Sequence, residues 1–209
     1  MNQTLARSVA CAVLLSFAVS ASAAVRERLI DIERSFITIR VASEGPLGGL
    51  AAPVLIQAPL TEGSVEESVP HMQIVIDARQ LRVLDAGLSP AARDDVQARL
   101  KGPEVLDVER FGRISYHSIT IERRVTDWLI RGELELRGLI LPVTSTARRQ
   151  GNRYVGSAVV RQSEFGIAPI VWGGGLSRVK DEIAIEFDVT VKGQPPSRTP
   201  RVRQQRKGQ

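Results

Sequence analysis

The sequence predicts an all-β domain, an antiparallel barrel or sandwich of about eight strands with one short helix. Three observations carry that reading. Apolar and polar residues alternate with period two in run after run, turn residues separate the runs, and helical periodicity occurs once.

Ahead of the domain lies a segment of different character. Met1 to Ser8 carries one charge, Arg7, then Val9 to Val19 is apolar, and Ala21-Ser22-Ala23 has the small-x-small form that signal peptidase cuts. That apolar run is too short to span a bilayer stably. We expect an export signal cleaved after Ala23 and a mature chain, periplasmic or secreted, starting near Ala24. Cys11 sits inside the apolar run, so the mature chain has no cysteine. Disulfides and thiol chemistry are therefore excluded, and the fold rests on its own core.

The strands follow in order. Ile37, Ile39 and Val41 share one face of the first, Val54 to Ala58 is a second candidate, and Met72, Ile74 and Ile76 mark a third. A helix is predicted from Ser89 to Leu100. Ser89 can cap its first N–H groups, Pro90 suits the first helical position, Val96 and Leu100 give an apolar stripe, and Gly102 closes it. Further strands are expected at Arg113 to Arg123, Trp128 to Leu139, Val143 to Arg149 and Tyr154 to Gln162. In the Trp128 run, Trp128, Ile130, Gly132, Leu134, Leu136 and Gly138 oppose Arg131, Glu133, Glu135 and Arg137, the pattern of a strand with one wet face. The last strand alternates from Ile183 to Val191. Gly173-Gly174-Gly175, with Arg178 and Lys180 behind it, leads into this strand and not into a helix. It is read as a turn or loop and not as a phosphate cradle.

The high isoelectric point is a property of the tail. Residues 193–209 hold Arg198, Arg201, Arg203, Arg206 and Lys207 and no acid; without these and Arg7, 22 basic residues face 23 acids. The body is thus near neutral, and nucleic acid is not an expected partner. The tail, rich in proline and charge, is expected to be disordered, with at most weak contact to an anionic membrane surface.

Catalytic and metal constellations are scarce. His71 and His117 are isolated and lack ligand spacing, neither Ser118 nor Ser163 lies in a nucleophile-elbow sequence, and Glu66-Glu67 and Asp94-Asp95 read as solvated surface. No enzyme, metal or cofactor is predicted.

Five stretches in register resemble the YceI-like, polyisoprenoid-binding family. "GELELRGLILPVTS" (132–145) is similar to its G-x-L-T-x-R-G-x-x-x-P-V signature through Gly132, Leu134, Arg137, Gly138, Pro142 and Val143. "QSEFGI" (162–167) resembles S-D-F-G-I, "VKDEIAIEFDV" resembles the closing V-x-D-E-V strand, "LDVERFGRISYHS" resembles F-D-V-x-x-Y-P-x-I-x-F-x-S, and "DIERSFITI" stands where members have D-x-x-H-S. Departures are Arg34 for the histidine, Phe111-Gly112 for Tyr-Pro, Glu135 for threonine and Gln162 where many members have arginine. These bear on the ligand more than on the fold.

The resemblance implies a lipocalin-like β-barrel over residues 24–192 whose apolar cavity binds an amphiphilic lipid, an isoprenoid of polyprenyl or quinone-like type. Candidate lining residues from the apolar strand faces are Ile37, Ile39, Tyr116, Trp128, Ile130, Leu134, Leu136, Tyr154, Ala158, Phe165, Trp172, Ile185 and Phe187. Gln162 and Arg178 are mouth candidates, with Arg161 and Lys180 beside them. Whether one copy or a homodimer holds the ligand is left open, as is the alternative of an envelope interaction protein acting through its surface and tail.

Overall fold

The computed structural model describes residues 27–46, 48, 52–66, 71–84 and 87–193. The predicted signal segment, Glu67 and the tail from residue 194 lie outside them.

Fourteen strands are described: β1 (Glu27–Leu29), β2 (Phe36–Val41), β3 (Ser43–Glu44), β4 (Val54–Ala58), β5 (Leu60–Glu66), β6 (His71–Asp77), β7 (Arg82–Val83), β8 (Arg113–Arg123), β9 (Trp128–Leu136), β10 (Leu139–Gln150), β11 (Arg153–Arg161), β12 (Val171–Trp172), β13 (Ser177–Val179) and β14 (Glu182–Thr190). Eleven form one antiparallel sheet in the order β1-β5-β6-β8-β9-β10-β11-β14-β2-β4-β7, and β12-β13-β3 form a small second sheet. The large sheet curls, and a bridge between Ile30 and Val191 ties the first strand of that order to the end of the eighth. Two backbone bonds flank the bridge, Asp31 N to Thr190 O and Lys192 N to Leu29 O, both 2.8 Å.

The expected count of about eight strands is therefore corrected to eleven in the main sheet. β1, β3, β7, β12 and β13 are only two or three residues long. No alternation can be read over so short a span. β5 was also missed, because Thr61, Glu62, Gly63 and Ser64 break its apolar pattern and its register shifts between Leu60 and Glu62.

A second correction concerns Trp128 to Leu139, read as one strand. It is two, joined by a tight hairpin at Arg137 and Gly138, with Leu139 paired to Leu136. Both turn residues have positive φ, 51° and 72°, as a two-residue turn of the I′ kind requires. Arg137 Nη1 donates to Val105 O at 2.9 Å, fixing the hairpin to the loop beyond the helix.

The one α-helix among the described residues, α1 (Pro90–Lys101), ends within a residue of the prediction, and Ser89 Oγ accepts from Ala92 N as expected. Gly102 N donates to the Ala98 and Arg99 carbonyls, but with an ordinary φ of −70°. Gln97 pins α1 to the sheet edge: its Oε1 accepts from Val83 N at 2.8 Å and its Nε2 donates to Leu81 O at 3.0 Å. Because Ser89 is the cap, Ser89→Ala should lower stability by about 1 kcal/mol, read as a shift in the urea midpoint.

Candidate functional site

The inward faces of the curled sheet divide into two levels. One end is filled: Ile30, Val65, Ile130, Ala147, Val189 and Val191 are all buried in a continuous core. Towards the other end, β2, β4, β6, β8, β9, β10, β11 and β14 each contribute residues around an open interior of about 800 Å3. The volume falls within the range of sites that hold small ligands. Phe187 and Ile37, paired across β14 and β2, lie at its floor with Tyr116, Met72 and Ser145. From Ile183 near the mouth to Phe187 is four residues, roughly 13 Å of strand.

α1 covers the mouth, presenting Ala92, Asp95, Val96, Arg99 and Leu100 to the interior. The β12–β13 hairpin stands beside it. Gly173 to Gly175 form its tight 3-10 turn, and both Gly174 and Gly175 have positive φ, so the triplet is a turn as the sequence indicated. Among the described lining residues, Asp95 and Arg99 are the charged ones, both exposed on α1. The wall below them is almost wholly apolar.

Of the fifteen residues predicted for the site, ten line this cavity: Ile37, Ile39, Tyr116, Leu134, Leu136, Ala158, Gln162, Trp172, Ile185 and Phe187. Five do not. Ile130 lies in the filled end, and Trp128 and Tyr154 pack against the same core. Phe165 is 1% exposed within the core, in the short turn Gln162–Phe165. Arg178 pairs with Glu44 across the small sheet and does not face the ligand space. Two neighbours proposed for the mouth do not line the cavity either: Arg161 pairs with Glu182 at 3.3 Å, and Lys180 is exposed.

Sequence reading missed much of the lining. Val54, Ile56 and Ala58 of β4, and Ile74 and Ile76 of β6, face the cavity. Both segments were recognised as strands, but nothing in their alternation said at which level of the barrel they sit. The helix residues Val96 and Leu100 were visible as an apolar stripe, although not as a cover.

The glycines of the inner faces turn out to make room for rings. A Cβ on Gly132 would lie 2.2 Å from His117 O and 2.6 Å from Tyr116 Oη; one on Gly156 would lie 2.0 Å from Thr146 O and 2.4 Å from Phe187 Cζ. The space they leave is therefore occupied by Tyr116 and Phe187, which together shape the floor.

Gln162, buried at the cavity edge, donates from Nε2 to Lys180 O at 2.7 Å. The turn it begins is held by Asp181, whose carboxylate accepts from Ser163 N at 2.9 Å and from Ser163 Oγ at 2.8 Å. These bonds lower the Asp181 pKa below its ordinary 3.8. A depressed carboxylate stabilises the fold above that ordinary value, and its contribution is lost as pH falls through the lowered one. Ser163→Ala should move the Asp181 titration back up toward 3.8, read by carboxyl NMR shifts against pH.

The histidines lie away from this chemistry. His117 is on the outer face of β8, its Nε2 3.3 Å from Glu133 Oε2. Ser118 Oγ accepts from Met72 N at 2.8 Å, next to the register shift of β8, so it serves the sheet.

The sequence profile of the YceI-like domain matches residues 30–191. The chain belongs to the YceI-like family. That span runs from the bridge at Ile30 to its partner Val191, so it takes in every strand of the curled sheet except β1, and the helix. Among solved structures, this YceI-like chain is similar to Burkholderia cenocepacia BcnA, at 16% identity and a TM-score of 0.53, over 78% of this chain and 99% of that one. A Campylobacter jejuni YceI protein aligns at 10% identity and a TM-score of 0.47, over 66% of this chain and 82% of that one. At 16% identity the likeness to BcnA concerns the fold. Among curated proteins none matched.

Proposed function

We propose that this YceI-like chain binds one amphiphilic lipid, an isoprenoid of polyprenyl or quinone-like type, and carries it in the periplasm or outside the cell. The observation that carries the reading is the cavity: about 800 Å3 of open interior walled by apolar side chains from eight strands and a helix. Water is a poor occupant, since each buried water needs two to four polar partners and the wall offers few. An apolar chain gains roughly 25 cal/mol for each Å2 removed from water, several kcal/mol over a few hundred Å2, with no directed bond. The family to which the chain belongs supports the same class of ligand. In this reading the protein acts by binding and not by turnover. The amino-terminal segment supports export.

Two measurements test it. Periplasmic extracts should contain a chain beginning near Ala24, and recovery of an uncleaved cytoplasmic form would remove the export half. Purified protein should enhance the fluorescence of diphenylhexatriene, an apolar polyene, and release it to a long isoprenoid alcohol. Absence of any enhancement would remove the lipid half.

A further inference from the structure

Buried hydroxyls among the described residues are, with few exceptions, spent. Ser35 Oγ donates to Asp31 O at 2.6 Å, Thr190 Oγ1 donates to Arg34 O at 3.2 Å, and Ser118 Oγ accepts from Met72 N. At the cavity floor the pattern breaks. Ser145 is 5% exposed, and its Oγ and the buried Tyr116 Oη have no partner except each other. Both residues line the cavity.

Their neighbourhood is built. Tyr116 reaches across Gly132, where even a methyl group would lie 2.6 Å from its hydroxyl, so glycine is what admits the phenol. Ser145 stands on the adjoining strand, two residues beyond Val143, the partner of Gly132, and beside Ala158 of β11. Burial pushes the Tyr116 pKa up and the nearby Ser145 hydroxyl softens the rise. The phenol is therefore neutral and a donor at any physiological pH.

Proton counting gives the ligand's chemistry. Two hydroxyls have two O–H donors; if one is given to the other, one donor is still left facing apolar walls, at a cost comparable to a lost hydrogen bond. An acceptor oxygen from the ligand removes that cost. A phosphate does not fit, because the charged lining residues, Asp95 and Arg99, are at the other end on α1 and an uncompensated anion at an apolar floor is far costlier.

We propose that Tyr116 and Ser145 form a subsite for an uncharged acceptor oxygen of the bound lipid (a carbonyl, ether or alcohol), so that the lipid lies polar end down with its chain towards α1. The subsite rests on the lipid-binding reading above and adds to it the headgroup and the direction of insertion.

The test uses two probes of one branched skeleton, phytol, which ends in an alcohol, and phytane, which has no oxygen, each displacing diphenylhexatriene. In the unaltered chain phytol should bind more tightly than phytane. The double variant Tyr116→Phe/Ser145→Ala should weaken phytol by about three- to tenfold while phytane changes by less than about twofold. Tyr116→Phe alone, which keeps the ring, serves as the control for folding and should show part of the same selective loss. Equal losses for both probes, or none for phytol, would overturn the subsite and leave lipid binding standing. If the unaltered chain takes up neither probe, lipid binding itself falls, and the subsite with it.

Discussion

Gly156→Ala is expected to destabilise the protein by roughly 3 kcal/mol or more, a large part of the 5–15 kcal/mol that holds a typical domain together. The added Cβ would meet Thr146 O at 2.0 Å and the Phe187 ring at 2.4 Å. The first contact is backbone of the paired strand, so no side-chain rotation relieves it. Separating β10 from β11 relieves it, but that breaks the register that places Ser145 opposite Ala158. Gly151→Ala makes the contrast. Its turn has φ +67° with nothing within 4 Å, so only local conformational strain remains, about 1 kcal/mol. Urea titration of the two variants distinguishes a steric from a conformational role. If Gly156→Ala unfolded at the same urea concentration as the unaltered chain, the packing of Phe187 over Gly156 would be wrong.

Ala158→Trp has the larger consequence for binding. Ala158 faces the cavity midway along β11, between Ser145 of β10 and Ile185 of β14. Its side chain is small where the neighbours are long, and an indole there fills the space a ligand would use. Lipid affinity should fall about a hundredfold or more, because the excluded ligand loses most of its buried area. Stability should hold or rise, since lining atoms that faced open space gain contacts. Both are read on one preparation, from diphenylhexatriene binding and from the urea midpoint. Unchanged lipid affinity would mean the ligand sits elsewhere.

What the sequence revealed, and what it hid, follows from how far each signal reaches. Alternation is local, and so β4, β8 and β14 emerged with ends within a residue of those found. The β9–β10 hairpin was hidden for a local reason as well: Arg137 and Gly138 continue the polar–apolar alternation while reversing the chain. Face was legible, but level was not. Ile130 and Leu134 alternate identically on β9, yet the first is in the filled end and the second on the cavity wall. That difference is set by how far neighbouring strands are staggered, which depends on pairings between distant segments. Arg178 likewise looked available at the mouth until the small sheet brought it to Glu44, 134 residues away in sequence. The hydroxyl pair of Tyr116 and Ser145 had no sequence signal, since the two residues stand on strands that meet only in the folded sheet.

The central claim is that the cavity holds one lipid per chain. It is tested most directly by native mass spectrometry of the mature protein purified from its own cells without detergent, followed by solvent extraction. The account predicts a single adduct at one-to-one stoichiometry, released intact as an oxygen-bearing isoprenoid and lost in Ala158→Trp. A chain that flies at its bare mass, with an extract free of amphiphile, would contradict it.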